Sequence, residues 1–129
     1  MGVSSDGILV FGIELGIEDE TPGFLYDESG VEYEFEEMVD FELGVSDKPY
    51  AEREEARKMY PVDLQIHCSY DYPMYILAVP NAKISAWRGY PQELKEGLPE
   101  VPQEKVDALK AWAAERGIEG EPCWILTSL

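Results

Sequence analysis

His67, Cys68, Ser69 and Asp71 fall within five consecutive residues, and these are the types from which a nucleophile and its base are built. Their spacing argues against that chemistry. From Val62 to Ser69 apolar and polar residues alternate, which is the period of a strand. Adjacent strand residues point to opposite faces, so His67 cannot act as the base for Cys68. His67, Ser69 and Asp63 share a face, but side chains two apart diverge, and a triad needs contacts of about 2.6–3.2 Å. The pattern predicts a structural histidine on a polar sheet face, with Val62, Leu64, Ile66 and Cys68 turned to the core. An enzyme is therefore disfavoured, and no residue is assigned as catalytic.

Metal and cofactor chemistry finds no better footing. A lone histidine gives little specificity for a metal. The acidic loop 18–28 lacks the ligand order and the glycine of an EF-hand. Gly12, Gly16 and Gly23 do not have the spacing of a phosphate loop. Neither a metal nor a cofactor is expected. Cys68 and Cys123 form no CxxC pair and both lie in apolar strand patterns, so buried free thiols are expected, with a disulfide only if their strands are neighbours. Tyr70, Tyr72, Tyr75, Trp87, Arg88 and Tyr90 gather at strand ends and turns within 62–94, and Tyr, Trp and Arg are the types enriched at binding hot spots. They define a second candidate site, a pocket of His67, Tyr70, Asp71, Tyr72 and Arg88 for a small molecule or for catalysis. The plainer reading makes most of these rings core-edge packing.

Charge is the feature with the clearest physical consequence. The chain has 27 acidic and 10 basic side chains, a net charge of -17. Residues 1–47 hold fourteen carboxylates and no Lys or Arg, while the other 82 residues are close to balanced, with 13 acids and 10 bases. Such a field repels nucleic acid and anionic membrane and attracts basic proteins. Carboxylates spaced along a surface imitate a phosphate backbone, and a basic groove that binds them releases counterions as it does on DNA. Glu32, Glu34, Glu36, Glu37 and Asp40 are the candidate partner contacts. The interleaved Phe24, Tyr26, Tyr33, Phe35 and Phe41 either anchor that contact or form the segment's own core side. Solubility alone is the plainer explanation of the acidity. Against it, like charges four apart, such as Glu32 and Glu36, cost helix stability.

The elements that must position these residues are readable from periodicity. At 129 residues and 45% hydrophobic composition, the chain is one domain and too apolar to be disordered. Residues 7–15 read as a strand buried on both faces, with Gly12 at a bulge or a close backbone approach. Residues 16–30 read as a loop ending in a capping box from Ser29 to Glu32. Within 31–43, alternation of Val31, Tyr33 and Phe35 competes with helical spacing of Phe35, Met38, Val39 and Leu43. A helix of about ten residues, closed by Gly44, is favoured. A short helix over 49–59 begins with Pro49 in its first turn. Residues 62–70, 74–79 and 83–88 read as a three-strand antiparallel meander with turns at 71–73 and 80–81. Val106, Leu109, Trp112 and Ala113 form the stripe of a helix over 103–116 capped by Gly117, and 122–128 is a final strand. These elements predict an α+β fold, an antiparallel sheet of four or five strands with helices packed mainly on one face. No apolar run reaches the roughly 20 residues of a membrane span, and the N-terminus lacks the basic start of a signal peptide. A soluble, intracellular protein is expected.

Three stretches carry a resemblance. They are Met1-Gly2-Val3-Ser4-Ser5-Asp6-Gly7-Ile8-Leu9, the run Cys68-Ser69-Tyr70-Asp71-Tyr72-Pro73-Met74-Tyr75-Ile76-Leu77-Ala78-Val79, and Arg88-Gly89-Tyr90-Pro91. Together they resemble small uncharacterised proteins of bacteriophages and prophages, over most of the chain to the strand holding Trp124. The resemblance implies a phage accessory role in the cytoplasm of a bacterial host, and small acidic phage proteins resemble inhibitors of nucleic-acid-binding defences, including anti-CRISPR proteins. It carries no established activity, so no catalytic residue follows from it. The expected function is a DNA-mimic-like inhibitor that occludes the basic, nucleic-acid-binding surface of a host protein. The alternatives are the pocket domain described above and a small structural or scaffold subunit, with oligomeric state left open.

Overall fold

The computed structural model describes residues 7–15, 22–68, 73–87 and 89–128, without the side chains of Cys68 and Pro73. In chain order the elements are β1 (Gly7–Glu14), a 3-10 turn (Gly23–Leu25), α1 (Phe35–Glu42), α2 (Tyr50–Arg57), β2 (Asp63–Cys68), β3 (Pro73–Ala86), α3 (Gln103–Glu115) and β4 (Cys123–Ser128). This is an α+β fold, with one four-stranded antiparallel sheet in the order β2-β3-β1-β4. Chain contacts divide it into two compact units, one of Met1–Glu20 with Pro61–Leu129 and one of Thr21–Tyr60.

The first unit contains the sheet. The strands expected over 74–79 and 83–88 are one continuous strand, and Pro80-Asn81 is a bulge inside it rather than a turn. The register explains why. Val10 faces Lys83 and Gly12 faces Ala78, so Phe11 alone on β1 lies opposite residues 79–82 on β3. Pro80 has no N–H to give the ladder, and Asn81 takes the left-handed conformation at φ 64°, which asparagine tolerates. The extra residues loop out, and β1 then pairs with β3 on both sides of them. Gly12 marks the other half of this junction. A Cβ there would sit 2.1 Å from the carbonyl oxygen of Leu77, so only glycine lets the two backbones approach.

Ile8, Val10, Ile76 and Ala78 form a buried cluster on one face of the sheet, with Ile125 of β4 packed against it. Leu77 and Val79 are also buried, so β3 is covered on both faces around its middle, as a central strand should be. Helix α3 packs against β3 and buries Leu109, Trp112 and Ala113, the stripe the sequence predicts. Its end is a Schellman motif, in which Ile118 N–H donates to Ala113 and Gly117, at φ 71°, donates to Ala114. The Arg116 guanidinium lies 3.7 Å from the centre of the Trp112 ring.

In the unit Thr21–Tyr60, a small hairpin pairs Tyr26 with Glu32. Its turn is organised by Asp27, whose carboxylate accepts from Ser29 N–H and Oγ and from Val31 N–H. Ser29 is thus a turn residue and not the helix cap expected of it. Helix α1 starts six residues later, where Glu34 N–H donates to the Glu37 carboxylate at 3.3 Å. Alternation wins before Phe35 and helical spacing after it, which shortens the helix to Phe35–Glu42. Gly44, at φ 71°, closes it as predicted, with Val45 N–H donating to Asp40.

Two glycines of β1 separate fold from packing in a single experiment. Gly12→Ala should cost about 1–3 kcal/mol or more by overpacking against Leu77. Gly7→Ala, whose added Cβ meets nothing within 4 Å, should stay within about 0.5 kcal/mol. Urea midpoints of the two variants check this, and equal midpoints would refute the β1–β3 junction.

Candidate functional site

Helix α1 owes its exposed face to a simple count of turns. Glu34, Glu37 and Phe41 stand at i, i+3 and i+7, so they stack along one stripe. All three are exposed, and Phe41 keeps 75% of its surface in solvent. Glu36 is exposed beside the stripe, and Glu32 is exposed on the hairpin. The opposite side of α1 holds the buried Val39 and the half-buried Phe35, whose ring meets Tyr60 edge to face at 6.1 Å between centroids. Tyr60, itself buried, donates a hydrogen bond from its hydroxyl to Glu42. These contacts fix which way the helix turns.

Asp40 is not part of that surface. It is 3% exposed, and Arg57 binds it with both ends of a fork, Nε to Oδ1 at 2.7 Å and Nη2 to Oδ2 at 2.5 Å. Arg53 adds a third contact at 3.4 Å. The hydrogen bond from Arg57 holds the Asp40 carboxyl below the ordinary carboxylate range, against the opposing effect of burial. Arg57 is raised in turn, by Asp40 first, with Glu36 a smaller contribution. Asp40 therefore leaves the set of candidate partner contacts. A signal for it was present in the sequence: Arg53 and Arg57 are four apart on α2, one face of a helix, and a charge of the other sign must meet them.

This ion pair determines the electrostatics of the whole unit. Residues 21–60 have twelve carboxylates and four bases. Arg53 and Arg57 are held by Asp40 and Lys58 by Glu55, which leaves Lys48. Asp27 is likewise engaged, its carboxyl lowered by the Ser29 and Val31 hydrogen bonds. Glu32, Glu34, Glu36 and Glu37 stand in solvent, which is the arrangement a basic surface would recognise.

The second candidate site is largely outside the described residues. Tyr70, Asp71, Tyr72 and Arg88 all lie there, leaving His67 as the one member the structure describes. His67 corrects the sequence reading. It is 7% exposed, whereas Ile66, expected in the core, is 47% exposed. The reason is that β2 is an edge strand, and β4 at the other edge approaches it, so the His67 side of β2 turns inward. His67 Nδ1 lies 2.8 Å from Thr127 Oγ1, and its Nε2 is buried without a hydrogen-bond partner among the described residues. Burial pushes its pKa below the ordinary value, with the Glu14 charge opposing. Trp87 and Tyr90 are exposed at the ends of a tight turn, not packed at a core edge.

Among the described residues no three His, Cys, Asp or Glu side chains gather where they could hold a metal ion. Cys123 is a free, exposed thiol, contrary to the burial expected of it. A shallow groove of about 130 Å³ runs between the β3 bulge and the segment leading into α3, with Pro80, Asn81, Pro99, Pro102, Lys105 and Trp124 on its walls. Its polar lining residues are Asn81, Lys83, Glu100 and Lys105. No helix among the described residues is long and apolar enough to cross a membrane. No family model, curated protein or solved structure matches the chain.

Asp40→Asn tests the clamp. It leaves two arginines facing a neutral amide and should cost roughly 2–3 kcal/mol, below the range for a fully buried pair because both arginines reach solvent. Because the folded pKa of Asp40 lies below its unfolded value of 3.8, its contribution is complete above that pH and is lost as pH falls through the folded pKa. Denaturant melts of wild type and variant should therefore differ at pH 7 and converge at acid pH. A difference that stays constant with pH would contradict the pairing.

Proposed function

We propose that the protein is an acidic accessory protein of phage type that binds a basic, nucleic-acid-binding surface of a host protein and blocks it. The observation that carries this reading is the exposed stripe of Glu34, Glu37 and Phe41 on α1, beside Glu36 and Glu32, in a unit whose arginines are held by Asp40. Exposed carboxylates in this arrangement present a partner with a row of anions. Phe41 adds an apolar anchor among them, of the large kind that dominates binding energy at interfaces. Nucleic acid itself is repelled by a net charge of -17, so the partner is a protein. The reaction is occlusion. A basic groove that accepts these carboxylates releases its bound counterions and cannot hold phosphates at the same time. The compartment that follows is the cytoplasm of a bacterial cell, and the phage resemblance supports the same setting.

Reversal of Glu32, Glu34, Glu36 and Glu37 to Lys tests it while sparing the buried Asp40. Capture from bacterial lysate with the wild-type protein at about 50 mM salt should retain a basic, nucleic-acid-binding partner. At about 200 mM that partner should be lost by a factor of ten or more, as expected for several charge contacts. The reversed variant, folded by circular dichroism, should capture none of it at either salt. Retention of the same partner by the variant, with the same salt dependence, would sink the proposal.

A further inference from the structure

We propose that His67 is an acid-released latch between the two edges of the sheet, and that its protonation parts β2 from β4 and frees the β4 edge. The inference is independent of the acidic face. The strands β2 and β4 stand at opposite ends of the sheet order, yet they are in contact, and the bond of His67 to Thr127 spans them. Lys83 of β3 reaches Gln65 of β2 at 3.3 Å in the same unit. The sheet is therefore curled, with side chains rather than backbone pairs holding its edges together.

The protonation state decides whether the His67 contact can persist. In the neutral ring Nδ1 is paired with Thr127, whichever of the two donates, and Nε2 has no partner among the described residues. Protonation makes both ring nitrogens donors and charges the ring, so Nε2 becomes a charged N–H without an acceptor, the most costly form of an unmet hydrogen bond. The ring relieves that cost by turning out to water, and Thr127 is then released. The charges facing it are few among the described residues. Glu14 on β1 favours the proton, while on β3 the one cation is Lys83, already on Gln65. On β2 itself the charge is Asp63, and β4 contributes only the Cys123 thiol as a titratable group. Burial outweighs Glu14, so the folded pKa lies below the ordinary 6.5. The latch is complete above about that pH and is lost as pH falls through the folded value.

What the latch guards is visible in the edge it closes. β4 reads Cys-Trp-Ile-Leu-Thr-Ser, without a charge or a proline, and Leu126 is 75% exposed. Edge strands ordinarily have such devices against pairing with other chains. The bulged half of β3 has them, in Pro80 and Lys83. β4 has the His67 contact instead.

The chain contains a single histidine, so its ring resonance can be followed without assignment ambiguity. The experiment combines that titration with amide hydrogen exchange of the full chain from pH 7.5 to 5, corrected for intrinsic rates. The ring should titrate below 6.5. Over the same interval the Cys123–Ser128 amides should lose protection, while amides joining β1 to β3 hold theirs. In His67→Gln, which cannot titrate, β4 protection should not change with pH. Protection of β4 that stays flat in the wild type, or falls equally in His67→Gln, would overturn the proposal. If His67→Gln does not fold, Thr127→Val serves: β4 should be weakly protected at every pH, and wild-type protection there would overturn it equally.

Discussion

Strand β3 is asked to be longer than a flat sheet allows, and the bend that results organises the sheet unit. Phe11 on one strand faces residues 79–82 on the other. Pro80 and Asn81 are the residue types that make such an excess tolerable, one by withholding an N–H and the other by accepting a left-handed backbone. Gly12 answers across the ladder by letting the backbones close to within a distance no side chain would permit. Bulges of this kind increase local twist. A twisted, curled sheet brings its two edges toward each other, and the His67–Thr127 bond is the visible result.

The unit 21–60 is governed by a different constraint, the burial of one carboxylate. Asp40 gathers Arg53 and Arg57 onto itself and so joins α1 to α2. An isolated buried charge would be prohibitive, but the forked guanidinium satisfies both oxygens at once. The consequence reaches beyond stability. The arginines are engaged by Asp40, and the neighbouring glutamates keep an exposed face on which Arg57 acts only on Glu36, as a smaller contribution. The same ion pair thus holds the helices and leaves the surface negative.

Much of the fold is legible in residue types and periods. The apolar stripe of α3, both glycine helix ends and the buried Ile8 and Val10 of the first strand follow from local rules, because each depends on neighbours within a turn or two; the opposite face of that strand, expected to be buried as well, leaves Leu9 and Phe11 half-buried. The errors arise where distant residues decide. Alternation in Val62–Ser69 shows that two faces differ but not which one is inside, and the curl that turns His67 inward depends on β4, some sixty positions away. Pro80-Asn81 has the composition of a turn, and only the pairing of β1 on both sides makes it a bulge. Asp40 looks like one more acid in an acidic run until Arg57 is brought to it. Phe41 was readable as an aromatic among acids. Its exposure follows from the geometry of α1, which puts it on the side of Glu34 and Glu37.

If the acidic face binds as proposed, it competes with nucleic acid for one basic surface. Competition on the captured partner measures this directly, with a labelled oligonucleotide bound to it and the acidic protein titrated in at fixed salt. Occlusion of that surface should displace the oligonucleotide fully, with an apparent affinity that falls steeply as salt rises. A stable ternary complex, in which the oligonucleotide stays bound while the acidic protein saturates, would contradict it.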